Sequence, residues 1–259
     1  MKSTTPIAGT LSVLAAALAL TACGADDKSK DNAASASASA ALPQGSESVD
    51  LKPADFTTEI DNPYWPMRPG SRWVYREGSA EGATEDVVVE VTKKTKKIAN
   101  GIEARVIRDT ARQKGVPVEV TDNWYAQDRK GNIWYLGEYV TNYKNGKVVD
   151  HAGSFEAGVN GAQAGIAMPA DPKPGMTYRQ EYFKGEAEDK AGVITVGEEQ
   201  VEVPFGYFKK DVLMTRDLVP TEPKVQELKF YAPGVGPLLS LHTDGPGERG
   251  ALVDYTRGG

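Results

Sequence analysis

The sequence predicts a mainly β fold: a curved antiparallel sheet, half-barrel or sandwich with little helix. Three observations point there. From Phe56 onward the chain consists of short runs alternating apolar and polar residues, separated by Gly, Pro, Asn and Asp. No stretch carries the long amphipathic pattern of a helix. Landmark residues also recur at a period of about 105, which suggests two duplicated β-meanders.

The runs at 87–91, 105–107, 116–120, 133–136 and 148–149 read as strands. Lys144-Asn145-Gly146-Lys147 suits a hairpin, because Asn-Gly accepts the positive φ angles of a type I′ turn. Arg129-Lys130-Gly131-Asn132, set between two aromatic runs, suits another.

The repeat rests on four landmarks in the same order. Pro69-Gly70-Ser71-Arg72-Trp73 aligns with Pro174-Gly175-Met176-Thr177-Tyr178, and Glu85-Asp86 with Glu188-Asp189. Arg108-Asp109 aligns with Arg216-Asp217, and Tyr125-Ala126 with Tyr231-Ala232. The halves, about 56–150 and 169–256, are each too small to bury an apolar face alone, so they are expected to cover each other. The Gly- and Pro-rich stretch 153–174 is expected to connect them.

Ahead of the domain, residues 1–22 read as a signal peptide. Lys2 is followed by an apolar stretch over 7–20, too short for a usual membrane span. Its end, Leu20-Thr21-Ala22-Cys23, resembles a lipobox, which implies cleavage between Ala22 and Cys23 and a diacylglyceryl group on the Cys23 thiol. Two acyl chains suffice for stable anchoring. The expected location is the extracytoplasmic face of a bacterial cell membrane. Residues 23–50, with the run Ala34-Ser35-Ala36-Ser37-Ala38-Ser39-Ala40, lack aromatic residues and are expected to form a disordered tether. About 27 flexible residues would span roughly 30 Å. The globular domain is expected over 51–259.

Within that domain, Asn62-Pro63-Tyr64-Trp65-Pro66, Pro69-Gly70-Ser71-Arg72-Trp73-Val74-Tyr75, Val203-Pro204-Phe205-Gly206-Tyr207-Phe208 and Tyr231-Ala232-Pro233-Gly234-Val235-Gly236 stand out. In these phrases the domain resembles a group of secreted or lipid-anchored bacterial β-rich proteins. The resemblance implies fold and location and supplies no catalytic residues. The same phrases are also turn chemistry, with Pro fixing φ and Gly permitting positive φ.

Composition narrows the chemistry. With 36 acidic against 30 basic residues the net charge is -6, and no basic run is dense enough to track phosphates, so nucleic acid is not an expected partner. Lipidation occupies the single cysteine, which removes thiol nucleophiles, disulfides and thiolate metal sites. A Ser-His-Asp triad would have to use His151 or His242 as its base. Asp150-His151-Ala152-Gly153-Ser154 holds three triad residue types, but neighbouring strand residues face opposite ways and no nucleophile elbow surrounds Ser154. Asp128 to Asn132 departs from a calcium loop at Lys130. The acidic clusters Glu181, Glu186, Glu188, Asp189 and Asp122, Asp128 read as solvated faces. No catalytic set, metal site or cofactor is expected.

Aromatic residues are the better lead. Trp73, Trp124, Trp134 and Tyr178 lie at the Pro-Gly landmarks and on the central hairpin, where they form a core or line an apolar cavity in a curved sheet. The favoured function is therefore a membrane-anchored binding or carrier module for an apolar or amphipathic ligand. The alternative is a structural or protein-interaction component of the cell envelope, with an envelope protein as partner.

Overall fold

The structure, a computed structural model, describes residues 41–78, 84–220, 223–224, 226–243 and 248–259. Signal peptide, lipobox and Cys23 lie outside them. The strands of the first half are β1 (Phe56–Thr57), β2 (Arg72–Gly78), β3 (Glu85–Lys97), β4 (Glu103–Gln113), β5 (Val116–Asp128), β6 (Ile133–Lys144), β7 (Lys147–Asp150), β8 (Phe155–Glu156) and β9 (Gln163–Met168). Those of the second are β10 (Thr177–Arg179), β11 (Glu181–Tyr182), β12 (Lys190–Val196), β13 (Val201–Val203), β14 (Gly206–Phe208), β15 (Leu213–Leu218), β16 (Gln226–Ala232), β17 (Gly236–His242) and β18 (Arg249–Thr256). All five sequence-read strand runs fall inside this set. The Lys144–Lys147 turn has Asn145 at φ 54° and Gly146 at φ 73°, as type I′ geometry requires.

The main sheet is antiparallel and runs β10-β12-β15-β16-β17-β18-β2-β3-β4-β5-β6-β9-β11. Its two ends meet in the chain itself: β10 and β11 are separated only by Gln180, and they pair with β12 on one side and β9 on the other. The sheet therefore curves into a nearly closed barrel. At this seam a Cβ on Gly165 would lie 2.1 Å from the Gln180 carbonyl oxygen, so only glycine lets β9 approach so closely. The Arg179 guanidinium crosses the same seam to the Ala164 carbonyl, at 2.7 Å from one of its terminal nitrogens.

The stretch 153–174, read from sequence as a connector, contributes β9 to the wall of the barrel. The segment 151–162 lies along the edge of β6, where β8 pairs with it: Ala157 N–H donates to the Leu136 carbonyl at 3.0 Å, and a Cβ on Gly137 would lie 2.3 Å from the Phe155 carbonyl oxygen. At the other end of the tether region, Pro43 is buried, and Arg179 donates to the carbonyls of Gly45 and of Glu47, the latter at 2.8 Å. Packing against the barrel thus begins several residues before Asp50.

The Pro-Gly landmarks make the same hydrogen bond, whereas Glu85 lies in β3 and Glu188 precedes β12. Gly70 N–H donates to the Val91 carbonyl at 2.8 Å and Gly175 N–H to the Val193 carbonyl at 2.9 Å. The two glycines have φ of 87° and 84°. β2, β3, β4 and β5 in one half correspond to β10, β12, β15 and β16 in the other. This correspondence puts Asp109 with Asp217 and Tyr125 with Tyr231.

One end of the barrel is sealed by the segment before β2. The Asn62 side chain donates to the carbonyls of Gly131 and Pro169, both at 3.0 Å, and accepts from Tyr64 N–H at 2.9 Å. These bonds fix the turn that inserts Trp65, which meets Tyr125 at 5.7 Å and Tyr231 at 6.2 Å between ring centroids. Trp73 completes the plug, with Nε1 donating to the Val235 carbonyl at 2.7 Å.

Candidate functional site

Strand alternation gives the barrel an inner and an outer face. Outward on the first meander point Arg76, Asp86, Arg108 and Asp122, which pair across strands as Arg76 with Asp86 at 3.3 Å and Arg108 with Asp122 at 2.7 Å. The intervening positions turn inward: Tyr75 and Glu77 on β2, Asp109 on β4, and Glu119, Asn123 and Tyr125 on β5. On the far wall, cross-strand pairing sets Asp217 beside Glu227, with Lys229 and Tyr231 next along β16.

A barrel of eight strands is just filled by its own side chains, and this ring is larger. The inner side chains show the consequence. Lys229, Asp217 and Glu227 lie on this inner face with side-chain exposures of 25%, 11% and 19%. Tyr75, Tyr125 and Glu77 are likewise half-buried. These groups form a polar, partly accessible patch on the inner face of the barrel.

Its electrostatics are strongly acidic. Desolvation, followed by the nearby charges of Glu227 and Glu85, pushes the Glu77 carboxyl up to about 8. Desolvation also pushes Glu138 up to about 8, against a hydrogen bond from Tyr135. Asp109 is raised well above the usual carboxylate range by burial and then by Glu138, Glu119 and Glu77, and its Oδ1 has no hydrogen-bond partner among the described residues. Glu181 is raised by burial and by Asp189, to which it is hydrogen-bonded, an arrangement that suits one proton held between two carboxylates. Lys229 supplies the balancing cation at one wall, 2.7 Å from Asp217 and 3.1 Å from Glu227. Burial opposes its charge, but the two acids outweigh burial and hold its pKa well above that of a free lysine.

These shifts fix a pH dependence. An acid whose folded pKa lies above its unfolded value keeps its proton in the native state after the unfolded chain has released it. Such a group stabilises below the unfolded pKa, and that stability is lost as pH rises to the folded pKa. For Glu77 and Glu138 the window runs from the ordinary value of 4.5 to about 8. The melting temperature is expected to fall between pH 5 and pH 8, with a shallower slope in Glu77→Gln and Glu138→Gln. A flat or rising profile across that range would contradict the assignment.

The sequence-predicted aromatics are placed differently. Trp73, Trp124, Trp134 and Tyr178 are 1%, 7%, 6% and 2% exposed and serve as packing. Trp134 Nε1 donates to Asp128 Oδ2 at 2.9 Å, and Trp124 lies beneath Lys96, 4.4 Å from its ring centroid. Trp124 also borders a cleft of about 230 Å³, with Glu138, Phe155, Val159 and Phe183. The half-buried tyrosines of the inner face, Tyr75 and Tyr125, are other residues, while Tyr135 is packed, its hydroxyl donating to Asn123 Oδ1 at 2.8 Å. Tyr125 and Tyr135 stack with centroids 4.9 Å apart.

The remaining sequence candidates resolve into structure. His151 stacks on Tyr139 at 4.7 Å, while Ser154 Oγ accepts from Val140 N–H at 2.9 Å, so the two do not form a nucleophile and base. Asp128 organises the hairpin turn, accepting from Lys130 and Asn132 N–H at 2.9 and 3.0 Å. Within the acidic cluster read as a solvated face, Glu186 is exposed but Glu181 and Asp189 are each 2% exposed. Among the described residues, no group of three or more His, Cys, Asp or Glu could hold a metal ion. Sequence reasoning missed Glu77, Asp109, Glu119, Glu138 and Glu227. The available signal was parity, since Asp109 shares the inward face with Ile107 and Ala111, both buried.

The fold and site together define a class: an antiparallel sheet curved into a nearly closed barrel, with acids and tyrosines on its inner face. No family model matches the chain, and no curated protein matches it. Among solved structures, a candidate lipoprotein from Parabacteroides distasonis ATCC 8503 is similar, with 13% identity and a TM-score of 0.39 over 76% of this chain and 100% of that one.

Proposed function

We propose that this chain is a lipoprotein of the extracytoplasmic membrane face, held through Cys23, whose barrel encloses an amphipathic ligand. The observation that supports ligand binding is the partly accessible inner face of acids and tyrosines. A barrel that needed only a core would fill with aliphatic side chains, because each buried charge costs several kcal/mol. The outer face argues against a membrane-spanning barrel. It carries the pairs Arg76–Asp86 and Arg108–Asp122, whereas a lipid-facing wall is apolar. Native mass spectrometry of the mature chain, purified without detergent, tests the ligand: a bound organic mass is expected, and a chain carrying only water would count against it.

The anchor rests on the lipobox-like Leu20-Thr21-Ala22-Cys23. Cys23→Ala is expected to leave the precursor uncleaved or to release the protein from the membrane fraction. Normal maturation with full membrane retention would overturn the assignment.

A second reading, contact with another envelope protein, is favoured by a patch on the β6–β7 hairpin. There Tyr139, Val148 and Val149 are 48%, 52% and 53% exposed. Site-directed cross-linking from Val149 in intact cells distinguishes it: a discrete adduct supports this reading, and none supports the ligand reading alone.

A further inference from the structure

We propose that the outer wall of the second meander rests on an anionic phospholipid surface, with Lys190, Arg216 and Arg249 set around an apolar strip of leucines. This rests on the reading that Cys23 carries the membrane anchor, and adds which face of the domain turns toward the bilayer.

Strand register defines the surface. Cross-strand partners share a face of the sheet, so the pairings Thr177–Gly192, Gly192–Arg216, Arg216–Leu228, Leu228–Leu241 and Leu241–Arg249 form one continuous row. The row faces outward, because the neighbouring positions Asp217, Glu227 and Lys229 meet one another on the inner face. The next row toward the strand starts, Met214–Phe230–Leu239–Ala251, is wholly apolar. On the other side, Lys190 pairs with Leu218. Lys190, Arg216 and Arg249 are exposed, while Leu228, Leu241, Met214 and Leu239 are half-buried. With strands about 4.8 Å apart, the backbones of Arg216 and Arg249 are about 14 Å apart with two leucines between them.

Charge separates this wall from the rest of the barrel. On the first meander the outward arginines Arg76 and Arg108 are paired with Asp86 and Asp122. Lys190, Arg216 and Arg249 make no ion pair among the described residues, and the acids of β15 and β16 are turned inward to Lys229. The chain carries a net charge of -6, so an anionic surface repels it as a whole and attracts it only through a local basic face. Unpaired cations bordering apolar side chains match the two layers of a bilayer surface, phosphate above and acyl chains beneath.

The chain's entry point lies at the end of the same row. Gln44 Nε2 donates to the Thr177 carbonyl at 2.6 Å, and the Thr177 hydroxyl donates to Gln44 Oε1 at 2.9 Å. The Arg179 N–H donates to the Pro43 carbonyl at 2.6 Å. Residues 23–40 alone separate Cys23 from this segment, and even fully extended they would reach no more than about 60 Å. A lipid on Cys23 therefore holds the Thr177 end of the row close to the membrane.

The test is co-sedimentation of the mature chain from residue 23, expressed without its signal peptide and so without lipid. The vesicles are phosphatidylcholine alone or mixed in equal parts with phosphatidylglycerol. Binding to the mixed vesicles is expected to be at least about tenfold tighter, since each exposed arginine near an anionic surface is worth about fivefold. Raising the salt should weaken it. Arg216→Gln with Arg249→Gln is expected to remove the preference, whereas Arg76→Gln with Arg108→Gln, which deletes the same charge from the opposite wall, should retain it. Circular dichroism checks that both pairs fold. Equal loss in the two pairs would trace the binding to net charge and overturn the inference. So would a parent chain with no preference for the anionic vesicles. Tighter binding to soluble polyglutamate than to the vesicles would assign the face to an acidic protein and overturn it as well. The anchor is read separately by the Cys23→Ala fractionation: a chain that needs Cys23 for retention yet shows no vesicle preference overturns this inference alone.

Discussion

Gly165→Ala is expected to open the seam of the barrel and cost more than about 3 kcal/mol, above the usual range for overpacking. The added Cβ would lie 2.1 Å from the Gln180 oxygen, 2.2 Å from its carbonyl carbon and 2.7 Å from the Arg179 oxygen. All three are backbone atoms, so no side chain can swing aside. Separating β9 from the β10–β11 segment would also strip Ala164 of the Arg179 guanidinium, which now donates to its carbonyl at 2.7 and 3.1 Å. Unsatisfied groups of that kind cost about 1–3 kcal/mol. Urea denaturation reads the effect as a lower midpoint. A midpoint within error of the parent would mean that the strands do not meet here.

Lys229→Met is expected to cost about 3–5 kcal/mol near pH 8, the range for removing one partner of a buried ion pair. Without the ammonium, Asp217 and Glu227 face each other across neighbouring strands with no cation between them. The loss should shrink toward pH 5, because burial raises the Asp217 carboxyl above its usual range and eases its protonation. Adding Asp217→Asn to Lys229→Met should recover much of the stability, because the substitution removes the charge left behind. Equal destabilisation at both pH values, with no recovery in the double variant, would show that Lys229 acts through packing.

The strands were legible because alternation and turn chemistry are local. Asn145-Gly146 specifies its own turn, and the Pro69-Gly70 and Pro174-Gly175 landmarks mark two strand entries with the same hydrogen bond and the same positive φ. Closure was not legible. It depends on Gly165 meeting Gln180 across the sheet, and the glycine-rich stretch 153–174 looks like a connector until that contact is seen. The acidic inner face was half legible. Parity assigns Glu77 and Asp109 to the face of Tyr75 and Ile107, but alternation cannot say whether that face is solvated or curls around an interior. Acids therefore read as solvated surface, and the large aromatics Trp73 and Trp134 drew attention although they pack. The tyrosines of the inner face carry no distinguishing motif.

The acidic inner face of the barrel is tested most directly by titrating its carboxyls. Carbon-13 NMR of the glutamate side-chain carboxyls, assigned through Glu77→Gln and Glu138→Gln, reads each pKa in the folded chain. Values raised to about 8 are expected for both. Titration of both near the ordinary glutamate value of 4.5 would show that they face bulk solvent and would contradict their place on that inner face.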